Sequence, residues 1–495
     1  MSGATGMVAA GHQKTAEVGA EVLRAGGNAV DAAIAAVLAS WVCEPLLTGP
    51  GAGGYMLVAG AGEEPTLLDF FVAAPGHGAG DDHAPLLPVA VSFGDATQTF
   101  NCGAASCGVP GSPAGIAAAA ERWATMPLSD LAAPAARLAR EGVPLNRPQA
   151  YVFEILDGIL CSTPGAAAEY TRDGRPLALG EPFSSPHLAE TIERLGADGA
   201  APFYSGDIAE AIVAEVQQLG GLLEMADLAA YEVIAREPVA AEYRGRSILT
   251  NPPPSAGGAL LVLAFSRLQQ ICPEGVPTSG QLLEVIDEVQ ALRTPQFTAG
   301  LIDPDFLSRF LAANLGSTTH ISVIDGDGRA CSVTCSNGEG SAVVVPGTGI
   351  HVNNMMGEED LNPLGFFRAA PGQRMPSMMA PTVVLAADGT AELAIGSAGS
   401  NRIRSAILQV IVNLIDRGGE VQAAVNAPRL HSEGGTLFVE PGVALEGVDL
   451  GQRELVEFRA ENLFFGGTQA VARDLQSGRC EGGGDPRRGG AAVGL

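Results

Sequence analysis

Positive charge is scarce in this sequence. It carries 28 lysines and arginines against 55 aspartates and glutamates, for a formal net charge of −27. Such a surface repels the phosphates of nucleic acids and of anionic lipid headgroups, so neither is an expected partner. Aromatics make up only 5% of the 495 residues. No apolar run is long enough to span a bilayer. The opening Met1-Ser-Gly-Ala-Thr-Gly-Met-Val has neither a basic n-region nor an apolar h-region, and a cytoplasmic protein is the expectation. Eight cysteines are scattered without a C-x-x-C pair, which predicts reduced, mostly buried thiols. Seven dispersed histidines offer no metal cluster, and neither a metal nor a cofactor is expected. There is no G-x-S-x-G elbow, no H-E-x-x-H and no P-loop.

What is there is a large apolar complement, 46% of the residues, with 65 glycines and 33 prolines. That combination predicts a globular chain with many turns and close backbone approaches. Gln13–Arg24 has helical spacing and stops at Gly26-Gly27. Asn28 is placed to cap a second helix, Ala29–Cys43, whose nearly unbroken apolar sequence predicts burial. Gly49-x-Gly51-x-x-Gly54 matches a dinucleotide fingerprint in letters only. It follows a helix and precedes a strand, the reverse of the phosphate-binding order, so close backbone packing is the better reading. Strands are predicted over Tyr55–Ala59, Thr66–Phe70, Tyr231–Ala235 and Ser247–Thr250. Helices are predicted over 114–123, 131–140, 208–219 and 259–267. From Thr318 onward short strands alternate. Ile321–Ile324 and Ala330–Thr334 flank Asp325-Gly-Asp-Gly328, and Thr382–Ala386 and Ala391–Ile395 flank Ala387-Asp-Gly389; both read as hairpins. A long apolar helix then covers Arg402–Asp416. Strands and helices are segregated, not strictly alternating, which predicts an α+β architecture, a layered αββα sandwich. Glu358-Glu359-Asp360 reads as a solvated acidic loop.

One stretch asks for a chemical explanation: Gly316-Ser317-Thr318-Thr319-His320 opens a strand. A threonine hydroxyl is a poor nucleophile without a base beside it, and an N-terminal threonine carries its own in the α-amine. That amine has an ordinary pKa of about 7.7–8.0, so a useful fraction is neutral near pH 7. A cut between Ser317 and Thr318, by attack of Thr318 Oγ on the Ser317 carbonyl, would expose it. A three-residue loop in the following hairpin would set Ser336 across from Thr318 with Thr334 diagonal to it. A two-residue loop would set Cys335 there.

Taken in order, several motifs resemble the γ-glutamyltranspeptidase family of N-terminal-nucleophile hydrolases. They are Gly26-Gly-Asn-Ala-Val-Asp31, the Gly49–Met56 loop, Val109-Pro-Gly-Ser-Pro-Ala-Gly115, Pro252-Pro-Pro-Ser-Ala-Gly-Gly258 and Thr318-Thr-His320. After these come Pro346-Gly-Thr-Gly349, Asn353-Asn354-Met-Met, Met375-Pro-Ser-Met-Met-Ala-Pro381, Gly396-Ser-Ala-Gly399 and Asp485-Pro-Arg-Arg-Gly-Gly490. The resemblance covers nearly the whole chain. It implies a four-layer αββα sandwich and a precursor that cuts itself before the threonine. The large chain would be residues 1–317 and the small chain 318–495, together one composite domain and mutual partners. Thr318 would form an acyl-enzyme from a small-molecule substrate and pass the acyl group to water or an amine. Thr334 and Ser336 would orient the nucleophile, and the backbone N–H groups of Gly399 and Ser400 would form the oxyanion hole. The substrate-binding positions of the family fall on Phe71, Asn337, Asn354, Met355, Glu358, Ser377 and Met378.

Several of these depart from the family pattern. Asp69-Phe70-Phe71-Val72 stands where the transpeptidases have Asp-Phe-Arg-Glu, so an arginine that clamps the donor carboxylate is replaced by Phe71. A serine of the family's serine pair is Met378, a glutamine is Met355, and an aspartate falls on Glu358. The expectation is therefore an intact catalytic half with a rebuilt donor pocket: an amidohydrolase or acyltransferase for a non-γ-glutamyl substrate. The alternatives are the same nucleophile hydrolysing an activated C–C bond in a natural-product pathway, or an uncut, non-catalytic binding paralogue.

Overall fold

The computed structural model describes residues 5–77, 83–92, 97–292, 318–362 and 365–495. The Gly316-Ser317 lead-in lies outside them.

The two predicted N-terminal helices form with the predicted bounds, Gln13–Arg24 and Ala29–Cys43. Asn28 caps the second: its side chain accepts from the amides of Val30 (2.8 Å) and Asp31 (3.0 Å), and Asp31 reaches back to the Asn28 amide (2.9 Å). This reciprocal box satisfies donors that a helix start leaves orphaned. Every residue of that helix is buried, as an all-apolar helix must be. The predicted helices at 114–123, 131–140 and 208–219 appear as Ser112–Trp123, Leu128–Glu141 and Asp207–Gln218, and those at 259–267 and 402–416 as Ala256–Ile271 and Arg402–Ile415. Their ends differ because caps and prolines set boundaries that periodicity does not mark. Helices Pro186–Asp198 and Ser279–Ala291 have no counterpart in the sequence reading. Strand Tyr231–Ala235 shifts to Ile234–Arg236 because Tyr231 turns inward and its hydroxyl donates to the Phe71 carbonyl (2.8 Å).

Two antiparallel sheets lie between helical layers. The first has seven strands in the order Ile234–Arg236, Glu63–Phe70, Gly53–Gly60, Arg329–Ser336, Thr319–Ile324, Met7–Ala10 and Ala491–Gly494. The second has six: Val239–Tyr243, Arg246–Thr250, Thr382–Leu385, Ala391–Ala398, Gly467–Arg473 and Cys480–Gly484. Helices 13–24 and 29–43 pack on the first sheet, and helices 256–271 and 402–415 on the second. This is the αββα sandwich. In the first sheet strands from the two sides of Thr318 interleave, Met7–Ala10 lying between Thr319–Ile324 and Ala491–Gly494; in the second, two strands from before Thr318 are followed by four from after it. All eight cysteines are free and seven are buried, Cys161 being the exposed one.

The sheets meet through a layer that is partly polar. Ser332 Oγ donates to the Ile395 carbonyl (3.0 Å) and accepts from the Thr382 amide (3.0 Å); Ser322 Oγ donates to the Gln469 carbonyl (3.1 Å). The His320 ring lies flat against the backbone of Gly396, where a Cβ would stand 2.3 Å from Cε1. Small residues on the second sheet let the first approach this closely. Replacing Gly396→Ala should therefore destabilise the fold by about 1–3 kcal/mol through overpacking. The urea midpoint measures it, and an unchanged midpoint would show that the sheets are not held at this contact.

Candidate active site

The hairpin register decides the geometry around Thr318. Thr319 pairs with Cys335, His320 with Thr334 and Ile324 with Ala330. One step further along this ladder places Ser336 opposite Thr318, the arrangement of the longer loop and not of the two-residue one. Asp325 fixes the turn: its Oδ1 accepts from the amides of Asp327 (3.1 Å) and Arg329 (2.9 Å), and its Oδ2 from the amide of Ala29 (2.9 Å) at the start of the buried helix. Side chains alternate across a strand, so Thr318, His320, Thr334 and Ser336 face the second sheet while Thr319 faces the helices.

Thr318 is wholly buried, and its Oγ1 has no hydrogen-bond partner among the described residues. Its neighbours are engaged. Thr334 Oγ1 meets His320 Nδ1 at 2.8 Å, and the other ring nitrogen, Nε2, meets Ser322 Oγ at 2.9 Å. Ser336 Oγ accepts from the Gly338 amide (2.9 Å). Burial pushes the His320 pKa down from 6.5 to about 3, so the ring is neutral at physiological pH.

The second sheet brings Gly399 and Ser400 to the same end. Strand Ala391–Ala398 crosses over Ser332 at Ile395 and over His320 at Gly396, and runs on toward the Thr318 end before it turns. Gly399 has φ +117° and Ser400 φ +61°. The left-handed conformation that a glycine pair adopts freely is thus kept by a serine. Neither amide has an acceptor among the described residues, while both carbonyls accept from the helix that follows (Arg402 and Ile403 amides, 3.1 Å each). Two free backbone donors beside an unpartnered hydroxyl are what stabilisation of a tetrahedral oxyanion requires.

On the other flank the chain after Phe70 folds across Gly53, whose absent Cβ would stand 2.7 Å from the Val72 amide. Gly53 pairs with Ser336, so Phe71 comes to lie beside the row that ends in Thr318. Its ring stacks on Tyr55 (centroids 5.6 Å apart, planes at 22°), and Tyr55 pairs with Thr334. Met355, Met375, Met378 and Met379 are buried in the same apolar cluster as Tyr55 and Phe71. Asn354 and Glu358 converge on Gly338, where a Cβ would be 2.3 Å or less from their oxygens. Both side-chain polar atoms of Asn337 are buried without partners among the described residues. Ser377 Oγ accepts from the Met379 amide (3.1 Å), and its carbonyl accepts from Ser255 Oγ (3.0 Å). Glu358 is buried, not a solvated acidic residue: the chain tucks it under Gly338, while Glu359 beside it is exposed. No grouping of three or more metal-ligating side chains exists among the described residues. No helix among them is long and apolar enough to cross a membrane.

The sequence model of gamma-glutamyltranspeptidases matches this chain over residues 15–315 and 284–495. The chain belongs to the gamma-glutamyltranspeptidase family. It is 31% identical to the glutathione hydrolase proenzyme of Escherichia coli over 475 residues, covering 86% of this chain and 81% of that one. It is 32% identical to the acylase ACY 1 proenzyme of a Pseudomonas species, covering 89% and 85%. Among solved structures, a cephalosporin acylase from Bacillus halodurans superimposes with a TM-score of 0.84 at 26% identity, over 100% of this chain and 96% of that one. The fold is therefore that of the N-terminal-nucleophile hydrolases, and the protein is an enzyme of the hydrolase and acyltransferase type that this family comprises.

Within a gamma-glutamyltranspeptidase frame, the donor flank is unusual. Phe71 stands where the resemblance calls for an arginine, and two guanidiniums that could replace it, those of Arg374 and Arg402, are committed elsewhere. Arg374 pairs with Asp69 (3.2 Å), donates to the carbonyls of Phe71 and Glu232 (2.5 Å each) and lies 4.6 Å over the Tyr231 ring. Arg402 donates to the Phe464 carbonyl (2.8 Å) and covers that ring at 4.5 Å. The sequence reading missed Tyr55, whose phenol is buried without a partner among the described residues; a Gly-Gly-Tyr in a strand gave no sign of it. Close backbone packing is found at two of the three glycines: Gly51 and Gly54 would each put a Cβ within 2.4 Å of a neighbouring carbonyl oxygen, while a Cβ on Gly49 would meet open space.

Two measurements follow from this geometry. The folded pKa of His320 lies below its unfolded value, so the stability it contributes is full above about pH 6.5 and is lost as pH falls toward about 3. Its ring nitrogen resonances should stay those of a neutral imidazole from pH 8 to pH 5; a titration step in that range would mean that water reaches the ring. Ser400→Gly should keep turnover within about twofold, because it leaves the amide and relaxes a left-handed residue that costs roughly 1–2 kcal/mol. A loss of more than tenfold would assign Ser400 a role for its side chain.

Proposed function

We propose that this chain is a proenzyme that cuts itself between Ser317 and Thr318 and then works as an N-terminal threonine hydrolase or acyltransferase on a non-γ-glutamyl acyl donor. The large and small chains are residues 1–317 and 318–495. The observation that carries the reading is the buried, unpartnered Thr318 hydroxyl, set opposite Ser336 at the end of the interface to which Gly399 and Ser400 present free amides. Two relatives of comparable identity, a glutathione hydrolase and an acylase, are both named proenzymes, which supports the cut.

The steps balance without a cofactor. Thr318 Oγ adds to the Ser317 carbonyl, the C–N bond breaks, and the chain is held briefly as an ester. Water hydrolyses that ester and leaves a carboxylate on Ser317 and a free amine on Thr318. In turnover the amine takes the Thr318 hydroxyl proton as Oγ attacks the donor carbonyl. The amides of Gly399 and Ser400 receive the oxyanion, the leaving group takes the proton, and water or an amine then accepts the acyl group. Thr334 and Ser336 hold the amine and hydroxyl in line. Phe71, Met355 and Met378 make an apolar wall for the acyl chain, while Asn337, Asn354, Glu358 and Ser377 supply its polar contacts.

Purified wild-type protein should run as two unequal bands on a denaturing gel and Thr318→Ala as one, without turnover. A wild type that stays a single chain yet is active would overturn the cut. Hydrogen bonds to charged groups are worth roughly 1.5–3 kcal/mol. Lacking the bidentate arginine therefore costs at least one to two decades of kcat/KM on a γ-glutamyl anilide, at about 1.4 kcal/mol per decade. Efficient turnover of that anilide by the processed wild type would refute the rebuilt pocket, since Arg374 and Arg402 are both occupied. A gain in Phe71→Arg would add support.

A further inference from the structure

Under the nucleophile strand, on the side away from Thr318, sits a carboxyl that the steps above do not use. Glu44 caps the C-terminal end of helix Ala29–Cys43 and is 1% exposed. Its Oε1 accepts from the Thr319 hydroxyl at 2.8 Å, and Thr319 is the residue directly after the nucleophile. Its Oε2 is buried with no partner among the described residues. Room for the carboxyl is made by Gly11, where a Cβ would stand 2.2 Å from Oε1. Gly11 follows the strand Met7–Ala10, which pairs with the nucleophile strand itself. A buried acid held against the glycine of one strand, the hydroxyl of the next and a helix end costs desolvation. A cap or a packing contact alone would not need it.

From this geometry we infer that Glu44 is a positioning residue for the Thr318 nucleophile. It clamps Thr319 from below, and with it the backbone that carries Thr318, and it sets the electrostatic field at the new α-amine. The inference rests on the cut and the nucleophile proposed above.

Among the described residues the groups around Glu44 are Arg488, Cys43 and His12, the last next to Gly11 and held neutral by burial, which pushes its pKa down to about 4. Arg488, from the C-terminal Asp485-Pro-Arg-Arg turn, is the cation that acts on it. Burial and the neighbouring Arg402 push the Arg488 pKa down to about 10, so it stays positive below that pH. Cys43, next along the helix, has its thiol pushed up to about 12 by burial and is neutral. Desolvation raises the Glu44 carboxyl to about 7, against the opposing effects of the Thr319 hydrogen bond and Arg488. Glu44 therefore changes charge close to the ordinary range of an α-amine, about 7.7–8.0. An ionised Glu44 favours the ammonium form, which makes the amine a base only at higher pH; a neutral Glu44 releases it.

The test needs no natural substrate. Self-cutting is read on a denaturing gel, and acylation of the processed enzyme is read as the p-nitrophenol burst from p-nitrophenyl acetate across pH 5–9. Thr319→Val keeps the β-branched shape but loses the donor, and should slow the cut roughly tenfold to a hundredfold through misplacement of the nucleophile. Thr319→Ser should restore it. Glu44→Gln keeps an acceptor for Thr319 but removes the charge. It should cut at near wild-type rate, and the acidic limb of its burst should move to lower pH by about half a unit or more. Wild-type cutting by both Thr319→Val and Glu44→Ala would overturn the clamp, and an unmoved acidic limb in Glu44→Gln would overturn the field. Should Glu44→Ala fail to fold, Thr319→Val and its serine rescue decide the first point and Glu44→Gln the second. A wild type that neither cuts nor gives a burst would instead sink the proposed function, and this inference with it.

Discussion

The register of one hairpin governs this site. Strand Thr319–Ile324 pairs with Arg329–Ser336 so that Thr318 comes opposite Ser336 and His320 opposite Thr334. A slip of one residue would turn Thr318 toward the helices and bring Thr319 to the inter-sheet face. Asp325 prevents it by binding two amides of its own turn and a third at the start of helix Ala29–Cys43. The same helix ends at Glu44, which holds Thr319. One buried helix therefore grips the hairpin at both ends, at its turn and at Thr319.

Much of this was legible in the sequence, for physical reasons that differ from element to element. The two N-terminal helices could be bounded because Asn28 and Asp31 form a capping box that local letters disclose. Helices Pro186–Asp198 and Ser279–Ala291 carry local signals of the same kind, a Ser185 cap before a proline and a Thr278–Gln281 capping box, which the sequence reading did not use. The hairpin at Asp325 gave the position of Thr318 but left Ser336 and Cys335 as rival neighbours, since loop length is settled by side-chain capping of the turn. The pairing of Ala491–Gly494 with Met7–Ala10 is invisible to any local reading, being a contact between sequence extremes.

The candidate site divides in the same way. Ordered motifs single out Thr318, Gly399 and Ser400, and the strands carry all three toward one end of the interface between the sheets. The donor flank could be read only as a list of departures. Whether Phe71 had a substitute cation depended on where Arg374 and Arg402 point, and both are bound to carbonyls and aromatic rings. Glu358 shows the limit of composition: three acids in a row imply water, yet one of them is buried against Gly338.

The interleaving of strands has a consequence for the chain's connectivity. The amide of Leu495 donates to the carbonyl of Gly6 at 3.1 Å, so the two extremes of the sequence are already neighbours in the first sheet. A short linker between them would leave every strand pairing in place and allow the polypeptide to begin at residue 318. Such a circular permutant would be born with threonine at its start once an initiator methionine is removed. Its amine would be free without any internal cut.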